Sequence, residues 1–319
     1  MARFNQFVPQ GVIPAVLLPF HDDLSIDEPN FRSHLRDVAA VEGLSAITVN
    51  AHSTEVASCT AEEQSRVMEI AADEVGDRLP LIHGVWADGS LEAARIAKRA
   101  QAGGASALLV FPPAPFTLGQ SADMALAHFK TIASASDLPM IVFQYPLATG
   151  QGYPQATLDR LFNEVPTIRA IKDWTPNVPQ HEEQMRSLRS RSRPVNVLTT
   201  NSAWLLSSLV LGCDGLLSGS GSVIADLQAR LFRAVKANDL AEARRLNDRI
   251  HPMASVFYAD PFVDMHNRMK EALVLLGKLP RAVVRPPLVK IREPKIARIR
   301  EALIAAGLLD ASGKRREAA

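Results

Sequence analysis

Lys172 stands in TIRAIKDWTP, near the end of an apolar run that reads as a β-strand. An ammonium is costly to bury unpaired, and lysine suits strand interiors poorly. Two readings fit. Either Lys172 pairs with a carboxylate where the strand reaches solvent, or the fold keeps an amine in a sheltered pocket. Burial disfavours the charged form of an amine and lowers its pKa. The free amine then attacks a ketone to form a Schiff base, whose iminium draws electrons from the adjacent carbon. Side chains alternate along a strand, so Ala170 and Trp174 are expected on the face of Lys172, with Ile171 and Asp173 on the other.

A parallel sheet would position such a lysine. Eight short apolar runs punctuate the chain, at 12–20, 44–50, 79–87, 105–112, 138–146, 168–174, 195–200 and 215–220. They are too continuous for half-exposed strands and read as buried parallel ones. Helix-length segments lie between them, such as FRSHLRDVAAVEG, EEQSRVMEIAADEVG and LEAARIAKRAQAGG. EGLSAITVN, GGASALLVF and LGCDGLLSG repeat one design: a glycine ends a helix, in the left-handed position it favours, and leads into a strand. Thr60 to Glu63 reads as a capping box. The pattern predicts an α/β protein, a (β/α)8 TIM barrel over residues 1–237. Beyond the last run the pattern turns helical, and residues 238–319 are expected to form a C-terminal helical domain. A doubly wound open sheet is the alternative, but no GxGxxG follows the first run. In the barrel, the active site lies at the C-terminal ends of the strands, where Lys172 falls.

The formal net charge is +1, with 22% charged residues. That near-neutral balance argues against nucleic acid or a membrane surface as partner. The densest basic run, 186–193, reads as a solvated helix end and loop, with an anion site as the alternative. GKRREAA at the C-terminus reads as a frayed tail. Cys59 and Cys213 are too few for a disulfide framework or a zinc cluster. MARFNQFVPQ has no apolar signal core, and no run is long enough to span a bilayer. A cytoplasmic protein is expected.

LPFHDDLSIDEPNF after the first run, AHSTEVASCTAEE after the second, YPLATG after the fifth and AIKD in the sixth fall in order. Together they resemble the dihydrodipicolinate synthase / N-acetylneuraminate lyase family of class I aldolases, from about residue 11 to VRPPL at 284–288. The resemblance implies a (β/α)8 barrel with a C-terminal helical domain, in a homo-oligomer, tetramer or dimer. It implies a Schiff base between Lys172 and pyruvate or another 2-keto acid, with no metal and no organic cofactor. The family's carboxylate-binding motif, G-[ST]-[ST]-G-E, aligns with Ala51, His52, Ser53, Thr54 and Glu55. Ser53 keeps the hydroxyl, Thr54 beside it is a second candidate contact, and amides of such a turn hold carboxylates. Both glycines are gone.

The family's Y-N-x-P-x-x-T-G, aligned on Pro146, Thr149 and Gly150, puts Phe143 where a proton-shuttling tyrosine belongs. Tyr145 lies two residues on, on the same strand face and roughly 6–7 Å away. Tyr145 or His52, whose imidazole titrates near neutral pH, is expected to shuttle protons, with a bound water as a third option. Each residue also has a purely structural reading. Ala148 replaces the carboxylate-binding arginine of the synthases, and Ala114 or Pro115 stands near their loop tyrosine, so a true dihydrodipicolinate synthase is not expected. Asn201, Ser218 and Ser220 are candidate hydrogen-bond partners for substrate. Trp86, Phe111, Phe116 and Trp174 either pack the core or wall the pocket.

The expected function is a Schiff-base-forming lyase, an aldolase or hydro-lyase, acting on pyruvate or a related 2-keto acid. A catalytically impaired 2-keto-acid-binding or regulatory barrel is the alternative, motivated by the missing tyrosines. A metal-dependent aldolase needs converging ligands; the spacing of His52, Glu55, His83 and Asp88 matches no such motif.

Overall fold

The computed structural model describes residue 4 and residues 6–315. Its strands are β1 (Gly11–Pro14), β2 (Ile47–Val49), β3 (Leu81–Val85), β4 (Ala107–Val110), β5 (Met140–Gln144), β6 (Ile168–Asp173), β7 (Asn196–Thr199) and β8 (Gly215–Ser218). Each overlaps one apolar run of the sequence. They form one parallel sheet in the order β1-β8-β7-β6-β5-β4-β3-β2. Bridges from Val12 to Leu44 and from Ala15 to Thr48 bring the ends together. The helices α1 (Glu28–Ala39), α2 (Ala61–Val75), α3 (Ser90–Ala102), α4 (Ala122–Ala133), α5 (Gln155–Glu164), α6 (Val178–Arg189), α7 (Leu205–Val210) and α8 (Gly221–Lys236) follow the strands in turn. This is the (β/α)8 barrel, and the near-closure of the ring removes the open-sheet alternative.

Strand alternation explains the continuous apolar runs, because both faces are buried. Ile13, Ile82, Leu109, Ile141, Leu198 and Leu217 fill the lumen. Their neighbours Val12, Val142, Ile171 and Leu216 pack outward beneath the helices. Thr60 and Glu63 form the expected capping box at α2, and Asp27, Ser121 and Asn177 cap α1, α4 and α6. Each such cap is worth about 0.5–2 kcal/mol. The repeated glycines Gly43, Gly104 and Gly212 have φ of 90°, 95° and 103°, the left-handed geometry the repeat anticipates.

The expected boundary falls in the short turn between α8 and α9 (Leu240–Phe257). Two more helices follow, α10 (Met265–Leu275) and α11 (Glu293–Ala305). α9 packs on α8, and α11 on α9 and α10. The segment HNRMKE of α10 reads as polar yet is wholly buried. Four of its side chains are held by specific partners, as buried polar groups require. Asn267 donates to the Val289 carbonyl at 2.8 Å. Arg268 donates to the carbonyls of Phe257, Ala259 and Pro261. Lys270 bonds the Glu55 carboxylate, and Glu271 pairs with Lys290.

The basic run at 186–193 is the end of α6 and the loop after it, with Arg186 and Arg189 exposed, as expected. Arg186 pairs with Glu182, Arg189 donates to the Gly212 carbonyl, and Arg191 pairs with Asp159. Arg193 donates to the carbonyls of Phe162 and Ile168, at the barrel end opposite Lys172. Arg191 and Arg193 are the half-buried members and tie the loop to α5 and the start of β6. At the C-terminus, Arg315 bridges back to Leu309, and residues 316–319 of the expected tail lie outside the described residues. Among the described residues no helix is long and apolar enough to cross a membrane.

Candidate active site

β6 delivers Lys172 into the lumen, with Phe143 of β5 and Leu198 of β7 as its neighbours in register. Ala170 and Trp174 share its face, and Ile171 packs on the other. Lys172 is only 6% exposed. Its Nζ lies 3.7 Å from the centroid of the Phe143 ring and makes no hydrogen bond or ion pair with any described residue. The carboxylate-paired reading therefore fails. Asp173 turns outward instead, bonding His181 Nδ1 and accepting from the Thr175 amide at 2.8 Å. Burial pushes the Lys172 amine down to about 7. The ring face favours the ammonium by about 0.5–2 kcal/mol, but burying an ion costs several kcal/mol, so desolvation wins.

The loop after β2 forms a turn with unpartnered polar groups. His52–Thr54 form one turn of 3₁₀ helix. The amides of His52 and Ser53 donate to no described residue, and Ser53 Oγ is buried without a partner. Thr54 Oγ1 donates to the Ala51 carbonyl at 2.9 Å, so it braces the turn instead of facing the lumen. The missing glycines are explained by backbone geometry. The left-handed positions are Asn50 and Glu55, both at φ 52°, while Ala51 has φ −110° and Thr54 is helical. Glu55 reaches into the C-terminal helices, accepting from Lys270 Nζ at 2.5 Å and the Arg285 amide at 3.0 Å. That buried pair fastens the loop to α10.

His52 and Tyr145, expected as alternatives, form one unit: His52 Nε2 and Tyr145 Oη share a short hydrogen bond. The imidazole stands edge-on to Trp86 at 5.1 Å and Phe111 at 4.9 Å. Tyr145 packs on Phe143 at 4.6 Å and Trp174 at 5.4 Å. Burial, and then the charge of Lys172, push His52 down to about 3, while burial raises the Tyr145 phenol. Both are neutral at physiological pH. The phenol donates to Nε2 in one tautomer and accepts from it in the other, which is the bistability a proton shuttle needs.

Two expected contacts sit elsewhere. Leu217 is the lumen residue of β8, so Ser218 faces α8 by alternation. Its hydroxyl meets Ser220 Oγ at 2.8 Å and Gln228 Nε2 at 3.4 Å, which removes Ser218 and Ser220 from the site. Asn201 is buried and donates to the Asp173 carbonyl at 3.4 Å, bracing the end of β6 beside Lys172. Trp86 and Trp174 pack against the lumen cluster that contains Phe111, whereas Phe116 packs on Tyr153. His83 points outward, bonded to Asn50 and the Gly84 carbonyl. With Glu55 committed to Lys270, the group of His52, Glu55, His83 and Asp88 does not converge. Among the described residues no set of three His, Cys, Asp or Glu is placed to hold a metal.

Sequence reasoning missed the contribution of the C-terminal segment. Phe262 stacks on Trp174 at 5.0 Å and 22°, and His266 lies against Gly219 beyond β8. Phe262 lies in a 3₁₀ turn (Phe262–Asp264) directly before α10, four residues ahead of His266 in FVDMHNRMK. The polar look of that helix hid its burial.

The sequence pattern of the dihydrodipicolinate synthetase family matches residues 8–306. The chain is 29% identical over 301 residues to the 4-hydroxy-tetrahydrodipicolinate synthase of Gluconacetobacter diazotrophicus, covering 94% of this chain and 98% of that one. It is 27% identical over 296 residues to the putative 2-dehydro-3-deoxy-D-gluconate aldolase YagE of Escherichia coli, covering 92% and 95%. The crystal structure of YagE in complex with pyruvate superposes with a TM-score of 0.86 at 26% identity, covering 94% of this chain and 99% of that one.

Proposed function

The chain belongs to the dihydrodipicolinate synthetase family, and on that premise we propose that it is a Schiff-base-forming lyase acting on pyruvate-derived 2-keto acids. The observation that carries the reading is the Lys172 amine, buried, unpartnered among the described residues and held over an aromatic ring.

Ser53 Oγ and the amides of His52 and Ser53 orient the substrate carboxylate. Neutral Lys172 attacks the C2 carbonyl, and the carbinolamine loses water to give the iminium. In aldol cleavage the Tyr145–His52 pair takes the proton of the C4 hydroxyl as the C3–C4 bond breaks. The bonding electrons pass to the iminium as an enamine, and the aldehyde leaves. Return of a proton to C3 and hydrolysis free pyruvate and Lys172. Dehydration shares the opening steps and differs in which bond at C3 or C4 breaks.

Ala148, with Ala114 and Pro115, supports an activity other than dihydrodipicolinate synthesis, because the distal carboxylate of that reaction needs a cation. Both cysteines are free thiols, in keeping with a cytoplasmic location. Phe143 favours an impaired, binding-only barrel as second reading, since it removes the family's shuttle hydroxyl. The Tyr145–His52 pair argues the other way by supplying a hydroxyl on the same strand face.

Turnover separates the two. Pyruvate release from a panel of 4-hydroxy- and 3-deoxy-2-oxo acids is followed with a coupled reductase. Release that disappears in Lys172→Ala supports the lyase. Imine formation without release across the panel assigns the binding-only barrel.

A further inference from the structure

In the buried polar stretch of α10, one side chain makes no hydrogen bond or ion pair with any described residue. Asn267, Arg268, Lys270 and Glu271 each bond a specific partner. His266, 7% exposed, bonds none of the described residues. Buried polar groups are normally paired, so an unpaired imidazole points to a missing partner.

Its position says where that partner lies. Gly219 follows Ser218 at the mouth of the barrel, and alternation from Leu217 directs a side chain there to the lumen. A β-carbon on Gly219 would lie 2.8 Å from His266 Nε2 and 3.9 Å from Met269 Sδ. The imidazole thus occupies the lumen-side space that β8 leaves open. Phe262, in the 3₁₀ turn just before α10, stacks on Trp174, two residues from Lys172. The C-terminal segment therefore roofs the site with one ring and one imidazole.

We propose that His266 is a specificity-determining residue, hydrogen-bonding an uncharged oxygen on the part of the substrate beyond its 2-keto acid head, whose remainder is apolar or aromatic. The inference rests on the Schiff-base reading of the same site. Burial, with the charged Lys270 nearby, holds this imidazole well below its ordinary value and keeps it neutral, so it suits a hydroxyl or carbonyl better than an anion. Lys270 is committed to Glu55. Trp86, Phe111, Phe143 and Trp174 wall the lumen with ring faces and edges, and a second anionic group there would be desolvated without a counter-charge.

The test pairs pyruvate with a hydroxybenzaldehyde, benzaldehyde, glyceraldehyde or succinic semialdehyde and measures aldol addition, then cleavage of the 4-hydroxy-4-(hydroxyphenyl)-2-oxobutanoate. The native protein is expected to prefer the hydroxybenzaldehyde. His266→Ala is expected to lower kcat/KM for the hydroxyphenyl substrate roughly tenfold, as loss of one hydrogen bond to a buried group does, and to leave the plain phenyl substrate nearly unchanged. The loss should fall on KM, and His266→Gln should recover part of it. Borohydride trapping of pyruvate, which needs no distal group, should keep its rate in both variants. Unchanged kcat/KM for the hydroxyphenyl substrate in His266→Ala, or preference for the anionic aldehyde, overturns the proposal while leaving the Schiff-base reading intact. Absence of trapping in the native protein overturns that reading, and this one with it.

Discussion

Replacing Phe143 by aspartate tests whether a dry, uncharged surface is what keeps Lys172 neutral. The ring centroid lies 3.7 Å from Nζ, so a carboxylate in that space sits about 4 Å away. Coulomb attraction at that distance is about 4 kcal/mol at an effective dielectric constant of about 20. That corresponds to about 3 pH units. The native amine, lowered to about 7, is half neutral near pH 7. In Phe143→Asp the midpoint should move to about 10, and the neutral fraction at pH 7 should fall several hundredfold. The assay is the pH dependence of single-turnover pyruvate trapping by cyanoborohydride, with circular dichroism at each pH to establish folding. Native trapping should rise with pH up to about 7 and then level. Phe143→Leu, which removes the ring and adds no charge, should keep its midpoint within about 1 unit. A midpoint near 7 in a folded Phe143→Asp protein, or near 10 in the native one, refutes the argument.

The same lowered pKa has a consequence for stability. The folded state disfavours the ammonium, so the penalty is full below about 7 and fades as pH rises from there to the ordinary lysine value of 10.5. Lys172→Met should therefore stabilise the fold by up to about 5 kcal/mol at pH 6 and by much less at pH 10; equal urea midpoint shifts at the two pH values would contradict this. Glu55→Gln leaves Lys270 buried without its carboxylate and should cost about 3–5 kcal/mol in urea unfolding. The double variant Glu55→Gln, Lys270→Met should recover most of that loss, and a fully additive double variant would argue against the pair. Tyr145→Phe and His52→Ala should each lower kcat by about 10²–10⁴ with imine formation retained. Because the two residues act as one unit, the combined variant should lose little more, and additive losses would separate them.

The fold was legible because both faces of a parallel barrel strand are apolar. Runs such as LLVF and MIVF announce strands without alternation, and the glycine before each repeat marks the helix end. Lys172 was legible for the opposite reason: a charged residue in such a run breaks the pattern and demands an explanation. Alternation also gave its neighbours Ala170 and Trp174 correctly. It was not applied to Ser218, where the parity from Leu217 already excludes the lumen. The family glycines are absent at 51 and 54, but the left-handed positions of this turn are Asn50 and Glu55. The Tyr145–His52 bond joins residues far apart in sequence and could not be read from either segment alone. His266 and Phe262 were hidden by a polar helix whose burial depends on carbonyl partners in distant loops. Local pattern reports which residues alternate, while long-range pairing decides which polar residues are buried.

The most direct measurement is the mass of the protein after incubation with pyruvate and borohydride, followed by peptide mapping. The account predicts one reduced pyruvate adduct per chain, on the peptide that carries Lys172, and none in Lys172→Ala. An adduct on Lys270 or a surface lysine, or no adduct with pyruvate in the folded native protein, would contradict it.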